Sequence, residues 1–330
     1  MDLQKVVSPE TELTPLNYNT FRVQWNHSPI TRGTGRFSAS VNAGSTSYFN
    51  NVVNPNNFAN NVTGDLSSNI SYSKTFAGTP FSMSANLRHS QSVQTGEVRL
   101  DLPTIGINMN RQSPFQNVKF EPLKTLNIAW NFNLQNSITN RINTFGQANQ
   151  VDGPQTIPFN MDNLGLLLRN GNNGARNTIP ISSNFSLFKY FTGTASANYT
   201  ELWYMQRYNY SYNSTTEKVE QVKEDGFNRV GYYNTSFAMN TNFYGFYNFK
   251  PSGKLQTIRH HMAPTVGFNF NPDFSDPIYG YYQEVQSDKS GQLRRYSRHQ
   301  GLIFGDAPLG ESRALSLGLR NVLEAKIKTE

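Results

Sequence analysis

Apolar and polar residues alternate at every step of Phe81-Ser82-Met83-Ser84-Ala85-Asn86-Leu87-Arg88. The pattern returns in Leu126-Asn127-Ile128-Ala129-Trp130-Asn131-Phe132-Asn133-Leu134 and in Leu315-Ser316-Leu317-Gly318-Leu319-Arg320. Successive side chains of a strand point to opposite faces, so each stretch has one apolar and one polar face. A soluble β-sandwich also alternates. Here the alternation runs along nearly the whole chain in long strands, and uncharged polar residues fill the wet face. That combination predicts an all-β fold: an antiparallel transmembrane β-barrel of the outer-membrane kind, apolar outside and polar within.

Composition agrees with this reading. Of 330 residues only 15% are charged and 36% are hydrophobic, yet 23 are Phe and 17 are Tyr. Soluble domains carry about 25% charge. Asn, at about 40 residues, fills much of the gap. Asn disfavours helices, while aromatic residues favour strands and membrane interfaces. Mean hydropathy is −0.58, and the longest apolar cluster, Leu164 to Leu168, is far too short for a spanning helix. The chain has no cysteine, which excludes disulfides and thiolate metal sites. The net charge of +7 comes from scattered Lys and Arg, with Arg294-Arg295 the longest basic run. Nucleic-acid binding is therefore not expected.

About eleven strands are predicted: Thr20–His27, Arg36–Phe49, Asp65–Phe76, Phe81–Gln91, Glu97–Asn110, Thr125–Asn136, Ile179–Phe188, Thr194–Tyr212, Arg229–Phe249, Ile258–Phe270 and Ala314–Lys328. Connections at one end are mostly short. Those at the other end include long loops at 137–178 and 271–313, and Asn213–Asn228 reads as a third. In outer-membrane barrels the short turns are periplasmic and the long loops external. Pro103 sits where apolar parity switches, which predicts a bulge. A second switch, near Glu201, predicts another slip. The run Asn170-Gly171-Asn172-Asn173-Gly174 reads as loop, as does Asn54-Pro55-Asn56-Asn57.

The membrane-facing side chains are expected to be Phe81, Met83, Ala85, Leu87, Leu126, Ile128, Trp130, Phe132, Leu134, Leu315, Leu317 and Leu319. Lys289, Arg294, Arg295 and Arg298, in the last long loop, are candidates for lipopolysaccharide phosphate contacts. No catalytic motif is present and no cofactor is called for. His260 and His261 are neighbours on a strand, so they point to opposite faces and cannot share a metal ion. Asp273, Asp276 and Asp306 match no calcium-loop spacing and read as turn formers. Thr31-Arg32-Gly33-Thr34-Gly35 has glycines but no Lys-Ser/Thr, so it is a turn.

Several segments resemble the lipopolysaccharide-assembly outer-membrane proteins of LptD type from Bacteroidetes. They include Tyr18-Asn19-Thr20-Phe21-Arg22-Val23-Gln24-Trp25, Arg36-Phe37-Ser38-Ala39-Ser40-Val41, Leu66-Ser67-Ser68-Asn69-Ile70-Ser71-Tyr72, Ile258-Arg259-His260 and Pro272-Asp273-Phe274-Ser275 with Gly280-Tyr281-Tyr282. The resemblance covers essentially the whole chain and consists of strand and loop signatures. It implies a barrel in the outer membrane of a Gram-negative bacterium that delivers lipopolysaccharide to the outer leaflet without catalysing a reaction. It also implies an LptE-like lipoprotein plug and periplasmic lipopolysaccharide bridge proteins as partners, beside the outer-membrane lipid itself. Met1–Pro9 shows no signal-peptide core, no complete periplasmic domain is visible, and Val322–Glu330 runs off a strand pattern. Residues 1–330 therefore read as a single partial barrel from the middle of the wall, with free edges near Thr20–His27 and Ala314–Lys328. Other large barrels, a plugged nutrient receptor or a porin, are the alternative, and a soluble β-rich surface adhesin is a more distant one.

Overall fold

The computed structural model describes residues 2–6, 18–45, 65–142, 155–250 and 253–328. The wall strands in chain order are β1 Asp2–Val6, β2 Tyr18–His27, β3 Gly35–Gly44, β4 Asp65–Thr75, β5 Phe81–Ser92, β6 Val98–Gln112 and β7 Leu126–Thr139. After the short β8 Arg141–Ile142 and β9 Gln155–Thr156 come β10 Asn172–Leu187, β11 Phe191–Asn213, β12 Lys218–Thr241, β13 Phe243–Asn248 and β14 Leu255–Asn271. The hairpin β15 Tyr282–Gln286 and β16 Leu293–Ser297 precedes β17 Ser312–Ile327. Two short helices, α1 Glu121–Lys124 and α2 Leu164–Arg169, and one 3-10 turn, Pro277–Tyr279, complete the elements of the described residues.

Thirteen strands join one antiparallel sheet. β12 and β13 pair with β14 in a single register, interrupted at Asn242, so they form one rank and the sheet is twelve ranks wide. Eleven of these ranks are the expected strands; β1 is the addition. It moves the first free edge from Thr20–His27 to Asp2–Val6, because β2 pairs on both sides. The other edge lies on β17, as the sequence predicts. Among the described residues β1 pairs only with β2 and β17 only with β14.

Register carries the two faces across the sheet. Phe37 opposes Tyr72, Tyr72 opposes Ala85, and Ala85 opposes Ile105. The line continues through Leu134 and, two residues along β7, from Phe132 and Ile128 to Asn177 and Ile181. It then passes Ala197, Thr235 and Phe270, and Val266 meets Leu317. The opposite face reads Ser38, Ser71, Asn86, Thr104, Gln135 and, further along, Ser196, Ser236, Asn269. Small hydroxyl pairs tie neighbours together there: Ser38 to Ser71 at 2.6 Å and Ser196 to Ser236 at 2.5 Å. On the same face Gly106 makes room for Ser84, since a Cβ would come within 2.8 Å of its hydroxyl.

The expected bulge is present at Pro103. Pairings of β6 with both neighbours shift between Asp101 and Thr104, which realigns Leu100 and Leu102 with the apolar side. The second expected slip is not in β11. That strand keeps its alternation over 23 residues, and the extra residue lies in β12 at Gly226-Phe227, opposite Met205. Gly226 has φ of +150°, a conformation that suits glycine. The parity change near Glu201 therefore has a different cause: below it one face is apolar, and above it the other face is covered.

What covers it is the segment between β14 and β17. Residues 272–311 are not an open loop. They fold into a cap of a 3-10 turn and a hairpin lying against the polar-face side of β10 to β12. Likewise, 213–228 is not a loop: it is a four-residue turn between the long β11 and β12, which project beyond their neighbours as a ribbon. Asn172–Gly174 is strand rather than loop, because it completes the ladders with β7 and β11. Asn54–Asn57 lies outside the described residues.

The cap holds the main hydrophobic core. Leu202, Tyr204 and Val230 from the ribbon pack with Phe274, Leu302 and Ala307, all 5% exposed or less. Gly174 permits this, since a Cβ there would meet the Tyr204 ring at 2.9 Å. The cap also satisfies the ribbon's edges. The Tyr208 N–H donates to the Arg298 carbonyl at 2.7 Å, and the Gln283 side chain brackets the Tyr210 backbone. On the other edge the Tyr281 hydroxyl accepts from the Gly231 N–H at 2.9 Å and donates to its carbonyl. Phe274→Ala is expected to cost about 3–5 kcal/mol in cap docking. Hydrogen exchange should then rise sharply over 204–213 and 272–311, while β4 to β6 keep their protection.

Candidate functional site: a two-faced wall and its cap

The twelve residues expected on the membrane side all fall on one face of the sheet. Phe81, Met83 and Ala85 oppose Met109, Ile107 and Ile105, which oppose Trp130, Phe132 and Leu134. Leu87 pairs with Ile70, Ile128 with Ile181, and Leu126 with Ser183. Leu315, Leu317 and Leu319 oppose Phe268, Val266 and Pro264. Nothing among the described residues covers this face over β14 and β17, where Leu317 is 75% exposed. At the short-turn end the exposed aromatics Phe76, Phe115, Phe120, Phe188, Tyr190, Phe243 and Tyr247 form a fringe below the apolar stripe.

The opposite face carries few charges among its Ser, Asn and Thr. Arg88 lies with Ser40, Ser67 and Asn69 around a hollow of about 360 Å³. Arg176 lies under the cap with its guanidinium 5.0 Å from the Phe304 ring centre.

The four basic residues of the cap differ in what they already hold. Lys289 is ion-paired with Glu217. Arg295 donates to Glu284 at 2.8 Å and to the Ser275 hydroxyl at 3.0 Å, with Asp273 at 3.9 Å. Arg294 stacks 5.6 Å from the Tyr296 ring centre and makes no ion pair among the described residues. Arg298 is half-buried, and its Nε has no partner there. The structure thus does not bring the four together as one basic surface.

The aspartates serve local structure, as their turn chemistry predicts. Asp273 accepts from the Ser275 N–H and hydroxyl at 2.8 and 2.6 Å and from the Gly310 N–H at 2.9 Å, which holds its carboxyl below the usual range. Asp276 caps the 3-10 turn through the Ile278 N–H. Asp306 accepts from the Ser297 hydroxyl at 2.5 Å, and burial raises its pKa. His260 and His261 go to different partners, Asn321 and Asn242, on opposite faces.

Sequence reasoning missed His299. It is 3% exposed, stacked on Tyr204 at 5.4 Å and edge-on to Tyr281 at 6.4 Å. No described residue meets either ring nitrogen. Burial first, then the charges of Arg207 and Arg298, push its pKa down to about 4 from 6.5. Nothing in the sequence marks this histidine, because its surroundings come from segments about a hundred residues apart.

A single antiparallel sheet with an apolar stripe on one face and amides and hydroxyls on the other is the pattern found in the class of outer-membrane β-barrel proteins. Residues 4–330 match the family described as LptD protein, and the chain belongs to that family. It is a family of outer-membrane proteins of lipopolysaccharide transport. No curated protein matches the chain.

The His299 environment yields a pH dependence of defined sign. Its folded pKa is depressed, so the undocked cap binds a proton that the docked cap refuses. Docking is unaffected above about pH 6.5 and weakens as pH falls toward 4, by up to about 3 kcal/mol. Asp306, with a raised pKa, acts oppositely: its contribution is present at low pH and lost as pH rises through its folded value. Protection factors of the cap amides, taken relative to the intrinsic exchange rate at each pH, should therefore fall between pH 6.5 and 4.5, and His299→Phe should remove most of that fall.

Proposed function

We propose that the chain builds part of the wall of a translocon that delivers lipopolysaccharide to the outer leaflet, with the apolar face against lipid and the polar face toward the lumen. The observation that carries this reading is the register. One apolar stripe passes across eleven ranks, from β2 to β17, without changing face. A soluble adhesin could not leave Leu315, Leu317, Leu319 and Leu323 each more than 60% exposed along one strand without inviting aggregation. A porin or nutrient receptor has the same wall, and membership of the LptD family favours lipopolysaccharide over those alternatives.

Among the described residues β1 and β17 each pair on one side only, which supports a wall in which other strands take up those edges, since unpaired backbone groups cost several kcal/mol each in lipid. The short turns at 28–34, 76–80 and 188–190 belong on the periplasmic side, and the ribbon and cap outside. A lumen carpeted with Ser, Asn and Thr suits the saccharide part of the cargo and a lipoprotein plug, while bridge proteins would deliver from the periplasmic end. Among the cap's basic residues Arg294 is the best placed for lipopolysaccharide phosphate, because it is exposed and unpaired. The role is transport, with no reaction catalysed.

In the protein assembled in its native membrane, Met83→Lys should cost about 2–4 kcal/mol and Ser84→Lys far less. Equal loss of heat-resistant folded barrel from the two would overturn the assignment of faces. For sidedness, Gln292→Cys should react with a membrane-impermeant thiol reagent on intact cells and Gly253→Cys should not; the reverse pattern would invert the orientation.

A further inference from the structure

On β11 and β12 the apolar face carries an ion pair. Glu201 stands in the outward series Ala195, Ala197, Tyr199, Glu201, Trp203, with Asn177 opposite it on β10 and Arg229 opposite Trp203 on β12. A carboxylate on such a face is costly unless fully satisfied, and this one is. Its Oε2 accepts from the Tyr199 hydroxyl and from Arg229 Nη2, each at 2.6 Å, and its Oε1 accepts from the Trp203 indole N–H at 2.6 Å. Glu201 is consequently covered, with a side chain 13% exposed, whereas that of Arg229 is 62% exposed.

The hydrogen-bonding capacity left over is all of one kind. Arg229 spends only Nη2, on Glu201 and at 3.3 Å on the Tyr199 oxygen, which leaves N–H groups at Nε and Nη1. Asn177 Oδ1 accepts from the Trp130 indole N–H at 3.3 Å, and its Nδ2 is buried with no partner among the described residues, so the accessible donors are those of Arg229. An indole can only donate, so the Asn177 amide orientation is fixed. Aromatic rings surround these donors in a chain, with Trp130 to Phe132 at 6.1 Å, Phe132 to Trp203 at 6.3 Å and Trp203 to Phe227 at 6.5 Å.

Depth points the same way. Glu201 lies about ten residues above Phe191, where the aromatic fringe sits. At a rise of ~3.4 Å and a tilt of ~40° that is about 26 Å, the height of an outer-membrane apolar band. The patch therefore sits at the far interface, where headgroups replace acyl chains.

We propose that this patch seats the phosphorylated sugar headgroup of a glycolipid standing against the outside of the wall. Arg229 takes phosphate oxygens through Nε and Nη1, and Trp203 and Phe227 offer flat surfaces to the sugar. Donor-only surplus capacity fits an acceptor-rich phosphate, and a guanidinium already held by Glu201 is pre-oriented for it. The inference rests on the apolar face being the lipid-facing one.

The test places the assembled protein in phosphatidylcholine nanodiscs with increasing bisphosphorylated lipid A and counts retained lipid by native mass spectrometry. Lipid A should be retained in preference to phosphatidylcholine. Arg229→Gln should weaken retention about tenfold. If Arg229→Gln alone does not assemble, the double change Glu201→Gln with Arg229→Gln removes both charges together and should show the same loss. Unchanged retention in the assembled variants overturns the proposal, as does equal retention of dephosphorylated lipid A or of phosphatidylglycerol. A bimane label on Leu317→Cys, quenched by brominated phosphatidylcholine, reports the facing separately. Quenching with no effect of Arg229→Gln on lipid A removes the headgroup site alone, while absence of quenching removes the lipid-facing assignment and the headgroup site with it.

Discussion

Everything in this molecule depends on the inter-strand backbone ladder and its period of two. Each N–H and C=O in a membrane wall must find a partner within the sheet, so the strands have one sequence of neighbours and one register. A slip of a single residue would turn every Leu and Phe of that strand to the polar side. Two of the places where the ladder is interrupted show how register is held. At Pro103 the extra residue restores the apolar parity that the sequence had switched. At Gly226-Phe227 it is taken up on β12, so that β11 need not change face.

The wall was largely legible from alternation alone. Strands such as Phe81–Ser92, Leu126–Thr139 and Ser312–Ile327 coincide with their predicted ranges to within a few residues, because one face is buried or apolar over their whole length. The cap was not legible. Its residues Phe274, Leu302 and Ala307 belong to no periodic stretch; they are set by what the ribbon offers them. The one available signal was the switch from Ala195, Ala197 and Tyr199 to Leu202, Tyr204 and Tyr210. Two physical events produce such a switch, a bulge or the covering of a second face, and alternation does not tell them apart. The covering also supports the ribbon: the cap hydrogen-bonds the β11 edge at Tyr208 and Tyr210 and, lower down, β12 at Gly231, so these strands can continue past their wall neighbours.

Charge tells a similar story at two scales. Overall the chain is basic, yet most cations of the cap are committed to Glu217, Glu284 or an aromatic ring. Besides Arg294, exposed donors that remain unspent lie on the wall, at Arg229, whose partner Glu201 reads in the sequence as a mere break in the pattern. Composition indicates how many charges there are; only the fold shows which of them still have bonds to offer.

The attachment of the cap has a consequence for how such chains diversify. Its two ends are adjacent: Asn271 pairs directly with Ser312, so the forty residues between leave and re-enter the sheet across a single rung. Closing a loop between fixed neighbours depends only logarithmically on its length, with each doubling costing about 0.6 kcal/mol. The wall therefore imposes almost no length constraint on what is inserted there. Descendants can lengthen, shorten or exchange this module in one genetic event while β14 and β17 keep their register, which makes it the part of the molecule freest to follow a changing cell surface.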